Sequence, residues 1–103
     1  MARPVPTLVA YHPKPGKQAE SELLGLVKQH WPTLRRIGLA SEKPAQVWRA
    51  HEKNSEETHF LELFEWAEEG SSDVAHQTPE VMAMWEPMGR VLAKLVITKV
   101  GPA

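Results

Sequence analysis

At 103 residues the chain has the length of one domain, residues 1–103, and its 42% hydrophobic and 24% charged composition is that of a folded globule rather than a disordered tract. Twelve Lys and Arg against 13 Asp and Glu leave a net charge near −1, without the clustered cations that nucleic-acid binding requires. The lack of cysteine excludes a disulfide framework, a thiolate nucleophile and a zinc–cysteine site, and it fits a cytoplasmic protein.

The first residues, MARPVPTLVAYHP, carry one arginine and an apolar run interrupted by prolines. That run is too short for a signal peptide or a membrane span, so no membrane partner is expected. Thr7 to His12 is β-prone and is stopped by Pro13-Lys14-Pro15-Gly16. Lys17 to about Arg36 reads as a helix, because Leu23, Leu24, Val27, Trp31 and Leu34 recur at three- and four-residue steps. Pro32 lacks a backbone donor and is expected to kink or restart this helix near His30-Trp31. Gly38 is placed to stop it, and Arg35-Arg36, the nearest thing to a basic cluster, complement the helix dipole.

Gln46 to His51 and Thr58 to Trp66 are two further β-prone runs around the polar EKNSEE, which predicts a hairpin. Ser71-Ser72-Asp73 can cap a short helix reaching His76 or Gln77. Thr78-Pro79-Glu80 then combines an N-cap threonine, a proline at the first helical position and an acid in the first turn. The helix from Pro79 puts Val81, Met84, Trp85 and Met88 on one face, with Pro87 as a kink and Gly89 as its end. Leu92 to Thr98 is the last strand.

The order β-α-β-β-α-β is the split βαβ, or ferredoxin-like, arrangement of an α+β fold, with an antiparallel sheet and both helices on one face. The uncovered face is expected to pack on a second copy, giving a homodimer with sheet against sheet. Four tryptophans, each able to bury about 150–250 Å², are many for this length, and some of that area suits a second subunit.

Hairpin register decides which residues share a face. Setting Arg49 opposite Glu62 places Val47 against Phe64 and His51 against Phe60. Trp48, Ala50, Leu61 and Leu63 then make an apolar face suited to the helices. The other face holds Arg49, Glu62, Phe64 and Trp66, aromatic walls around a few charged groups, as in a ligand cleft. Glu62 there is either a carboxylate tuned by its neighbours to act as a base or half of a cross-strand ion pair with Arg49. One of Tyr11 and His12 should look into the cleft.

The five histidines show no metal-ligand spacing, although His51 and His59 flank the hairpin loop. The strings of a hydrolase elbow, a P-loop and a dinucleotide fingerprint are also missing, so no metal and no cofactor is expected.

The chain resembles the antibiotic-biosynthesis-monooxygenase-like (ABM-like) domains of the dimeric α+β barrel superfamily. The resemblance spans VAYHPKPGK at the first strand–helix junction, FLELFEW on the third strand and AHQTPEV after it. It implies a homodimeric barrel with a ligand cavity, in which Trp66 matches the third-strand tryptophan and His76 the histidine of the A-H motif. Some relatives oxidise polycyclic phenols with O₂ and no cofactor, whereas others degrade haem. The phenol-oxidising relatives carry a polar amide before the strand tryptophan, where this chain has Glu62. The haem-degrading ones present a histidine from the second helix, where this chain has Trp85 and Glu86.

The resulting expectation is a cytoplasmic homodimer binding an aromatic or otherwise apolar small molecule, as a cofactor-independent monooxygenase of phenol-like substrates. Glu62 or His76 would act as base and Arg49 would hold the developing oxyanion. Trp66, Phe64, Trp85 and Tyr11 would contact the substrate. The alternative is a non-catalytic binding or interaction module in which the same polar groups fix the dimer.

Overall fold

The computed structural model describes residues 3–103. Its elements are β1 (Val5–Pro13), α1 (Lys17–Arg36), β2 (Gln46–Ala50), β3 (His59–Trp66), α2 (Ser71–Ala75), α3 (Pro79–Val91) and β4 (Leu92–Lys99). The strands form one antiparallel sheet in the order β2-β3-β1-β4. This is the expected ferredoxin-like α+β topology, with β3 inserted between β2 and β1. Helices α1 and α3 pack together over one face of the sheet.

Helix α1 buries a stripe of Leu23, Val27, His30 and Leu34. It runs through Pro32 without a break, because Pro32 and Lys28 are exposed and the carbonyl that loses its partner can turn to water. The helix ends in a Schellman motif: Leu39 N–H donates to the Leu34 carbonyl at 2.8 Å and Gly38 N–H to that of Arg35 at 3.1 Å. Gly38 has a φ of 82°, which only glycine adopts at little cost.

The short helix α2 stops at Ala75, before His76, and is preceded by Gly70 rather than capped by Ser71. The Ser71 hydroxyl oxygen instead accepts the Glu68 N–H at 3.2 Å. Thr78 occupies the N-cap position of α3 with Pro79 behind it, but its hydroxyl donates back to the Val74 carbonyl at 2.7 Å. Helix α3 continues past Gly89 to Val91 and leads directly into β4.

Strand alternation sorts the sheet cleanly. Thr7, Val9 and Tyr11 of β1 and Phe60, Glu62 and Phe64 of β3 are buried toward the helices. On the opposite face, Trp48, Leu61, Ala10 and Val96 stand side by side across all four strands. Trp48 is 44% and Val96 40% exposed, so this apolar row faces solvent in the single chain.

Two expectations about the hairpin are corrected. Arg49 lies opposite Phe60 and Val47 opposite Glu62, two residues away from the expected pairing. A two-residue shift preserves which residues share a face, so the partition was right, but the faces are exchanged. The helices cover the Phe60–Glu62–Phe64 side, and Trp48, Leu61 and Leu63 form the open side. The physical reason lies outside the hairpin: Glu62 finds buried partners on β1 and α1, so two phenylalanines can enter the core with it.

Candidate functional site

The centre of the helix-covered face holds a polar array within an otherwise apolar core. Glu62 is fully buried, and His30 and Tyr11 are nearly so. The Tyr11 hydroxyl donates to Glu62 Oε1 at 2.7 Å. His30 Nδ1 lies 2.9 Å from the same oxygen and 3.2 Å from Oε2. On the far side of the ring, Trp85 Nε1 donates to His30 Nε2 at 3.0 Å. Four elements contribute one member each: β1 gives Tyr11, α1 His30, β3 Glu62 and α3 Trp85.

Burial, the Glu62 charge and the hydrogen bond to it all hold the Tyr11 hydroxyl well above the usual phenol range. Tyr11 is therefore a fixed donor and not a base. No buried side-chain nitrogen or oxygen among the described residues lacks a partner, so the array is fully satisfied.

Beside this array a cavity of about 260 Å³ opens between β1, β4 and α3. Val9, Phe64, Trp66, Met88, Leu95 and Ile97 supply most of its apolar wall. Tyr11, His30, Trp85 and His76 supply polar edges, with Thr7 and Ser72. Phe64 meets His30 edge-on at 5.3 Å between ring centroids and Trp66 at 5.0 Å, so the aromatic wall is continuous. His76 is exposed and packs on Trp85 with centroids 4.9 Å apart.

The residues put forward from the sequence are thus divided. Trp66, Phe64, Trp85, Tyr11 and His76 all line this cavity. Glu62 sits behind it and reaches it through His30 and Tyr11. Arg49 does not line it: its side chain is half-exposed, pairs with Glu20 of α1 and lies 5.4 Å over the Phe60 ring. The choice between Tyr11 and His12 resolves to Tyr11, while His12 faces the open side and stacks on His59 at 4.5 Å. His59 therefore pairs across the sheet with His12 and not with His51.

His30 was missed. It occupies a position in the stripe Leu23, Val27, His30, Leu34, whose steps of four, three and four mark a buried helix face. A histidine at such a step must find a buried partner, and that signal was readable. Of the four tryptophans, Trp66 and Trp85 line the cavity and Trp48 lies on the open face. Trp31 donates to the Ser41 carbonyl at 3.1 Å.

Among the described residues no group of three or more His, Asp or Glu side chains converges at metal-ligand spacing. None of the described helices is long and apolar enough to cross a membrane.

No protein-family profile matches the chain, and no curated protein matches it. Solved structures do. Rv0793 from Mycobacterium tuberculosis superposes with a TM-score of 0.69 at 16% identity, over 98% of this chain and 96% of that one. A dimeric ferredoxin-like protein of unknown function from Jannaschia sp. CCS1 gives 0.72 at 11% identity, over 97% and 100%. SnoaB, a cofactor-independent oxygenase from Streptomyces nogalater crystallised as a mutant, gives 0.68 at 8% identity, over 99% and 97%. The chain therefore has the ferredoxin-like α+β fold found in ABM-like structures.

Proposed function

We propose that the chain is a homodimer whose cavity beside Trp66 binds a small, flat, largely apolar molecule with a hydrogen-bonding group. Its activity is cofactor-independent oxygenation of a phenol-like substrate. The observation that carries this reading is the cavity itself. At about 260 Å³ it lies just under the roughly 300–1,000 Å³ range of ligand pockets, and a few polar groups interrupt its apolar lining. Those groups connect to a buried carboxylate, the arrangement general-base chemistry uses.

The phenol would lose its proton to this array, and the resulting electron-rich anion would react with O₂. The fold shared with SnoaB, a cofactor-independent oxygenase, supports the reaction class. The dimer is supported by the solvent-facing row of Trp48, Leu61, Ala10 and Val96, and by related folds described as dimeric.

One observation favours a second reading, a binding module without chemistry: the outward nitrogen of His30 is already occupied by Trp85. Calorimetric titration with 1-naphthol, together with oxygen uptake on a panel of hydroquinones and anthrones, separates the two. Saturable binding that is lost in Ser72→Trp, which fills the cavity, supports the site. Undiminished binding in that variant overturns it. Binding without oxygen uptake across the panel selects the second reading.

A further inference from the structure

The hydrogen bonds around His30 assign its ring protons. An indole N–H donates and never accepts, so the bond from Trp85 makes Nε2 a lone-pair acceptor. The ring is therefore the neutral Nδ1–H tautomer, and that proton is directed at Glu62. Glu62 in turn takes donors from both His30 and Tyr11, the role of an ionised carboxylate. Among the described residues none of its ion pairs involves a lysine or arginine.

We infer that His30 Nε2 is the proton acceptor of the cavity, that Glu62 positions it from behind, and that the Trp85 indole N–H holds the place of a substrate hydroxyl. The ligand class is a phenol or enol whose ionisable O–H displaces the indole. This rests on the cavity reading above and names the chemistry the cavity selects.

In the step, the substrate O–H bond breaks, an Nε2–H bond forms and the electron pair stays on oxygen. The imidazolium is met by the Glu62 carboxylate through Nδ1–H, as in carboxylate–histidine pairs that hold a base in one tautomer. Net charge within the cluster is unchanged. The titratable groups facing the ring are Glu62 from β3 and Tyr11 from β1. From the α3 side Trp85 intervenes, with His76 packed behind it. An ether or an aprotic arene has no proton to exchange and leaves either the indole in place or Nε2 unpaired. A lost charge-assisted hydrogen bond corresponds to about a 10- to 100-fold difference in affinity.

The test uses 4-nitrophenol, whose phenolate is yellow, and its methyl ether 4-nitroanisole, at a pH where free 4-nitrophenol is mainly neutral. Wild-type protein is expected to bind 4-nitrophenol as the yellow phenolate and to prefer it over the ether by about 10- to 100-fold. Glu62→Gln, which keeps shape and removes charge, is expected to bind it in the neutral form. Trp85→Phe is expected to keep the phenolate band and raise the preference for the phenol over the ether.

Nitrogen NMR of wild-type His30 gives a measurement free of variants. The ring should be protonated at Nδ1 alone without ligand and at both nitrogens with 4-nitrophenol bound. A bound probe that keeps its neutral spectrum in wild type, or a phenolate band that survives in Glu62→Gln, overturns the inference and leaves the cavity standing. Failure of both probes to bind overturns the cavity reading and this inference with it.

Discussion

Tyr11→Phe removes one oxygen atom from the core and leaves the ring in place. That oxygen donates to Glu62 at 2.7 Å in a nearly closed environment. A hydrogen bond to a charged group contributes about 1.5–3 kcal/mol, so the variant should lose that much at neutral pH. For a domain of this size each kcal/mol moves Tm by about 4–8 °C. The same bond makes a second, alkaline prediction. Unfolded tyrosine titrates near 10, whereas burial and the Glu62 charge hold folded Tyr11 above its usual range. The stabilisation is therefore fully present below about pH 10 and is lost as pH rises, because only the unfolded chain releases the proton there. Wild type should lose about 1.4 kcal/mol per pH unit beyond that point. The gap between wild type and variant should then shrink from about 1.5–3 kcal/mol at neutral pH to about 0–1.6 kcal/mol at pH 11. Urea denaturation from pH 7 to 11 measures the gap. Because Tyr11 is the single tyrosine, tyrosinate absorbance reports it without interference. A folded-state titration centred near 10 would refute the buried Tyr11–Glu62 bond.

Arg49→Ala should cost under about 1 kcal/mol, since its pair with Glu20 is partly solvated, and should leave 1-naphthol binding unchanged. A tenfold loss of affinity would return Arg49 to the site. On the open face, Trp48→Glu should convert a dimer into single 11.6 kDa chains on gel filtration, and an unchanged elution volume would move the dimer contact elsewhere. Gly38→Ala, at a φ of 82°, should destabilise by about 1 kcal/mol in urea melts; no change would mean that the Schellman turn tolerates a side chain.

Element order and topology were readable because hydrophobic period and turn residues are local signals. The stripe of α1, the Pro13–Gly16 stop, the Thr78-Pro79 helix start and the alternation of β3 each sit within a short window. Face assignment was not local. Phe60, Glu62 and Phe64 alternate with Leu61 and Leu63, and either set can be read as the covered one. The deciding facts are a histidine thirty-two residues earlier and a tyrosine fifty-one residues earlier, which make the burial of a carboxylate tolerable. Weighing Glu62 against Arg49 alone favoured a nearby cation over two remote neutral donors. The same bias hid His30, whose place in the stripe was visible while its partner was not.

Glu62, His30 and Tyr11 occupy core positions where leucine and phenylalanine would pack without desolvating a charge. Replacing a buried ionic array by apolar residues of similar volume is often neutral or stabilising, by about 1–4 kcal/mol. Breaking it at one point is different. Glu62→Leu alone strands the His30 and Tyr11 donors, at about 1–3 kcal/mol each. The combined chain His30→Leu, Glu62→Leu, Tyr11→Phe strands neither, and the half-buried Trp85 N–H it frees lines the cavity, where water can meet it. Thermal and urea melts should therefore rank the triple variant at or above wild type and the single variant well below it. If the triple variant is stable and no longer binds 4-nitrophenol, the array is retained against the interest of stability, and the cavity is the physical reason. A triple variant as unstable as Glu62→Leu would show instead that the array holds the core together, and its burial would then need no function to explain it.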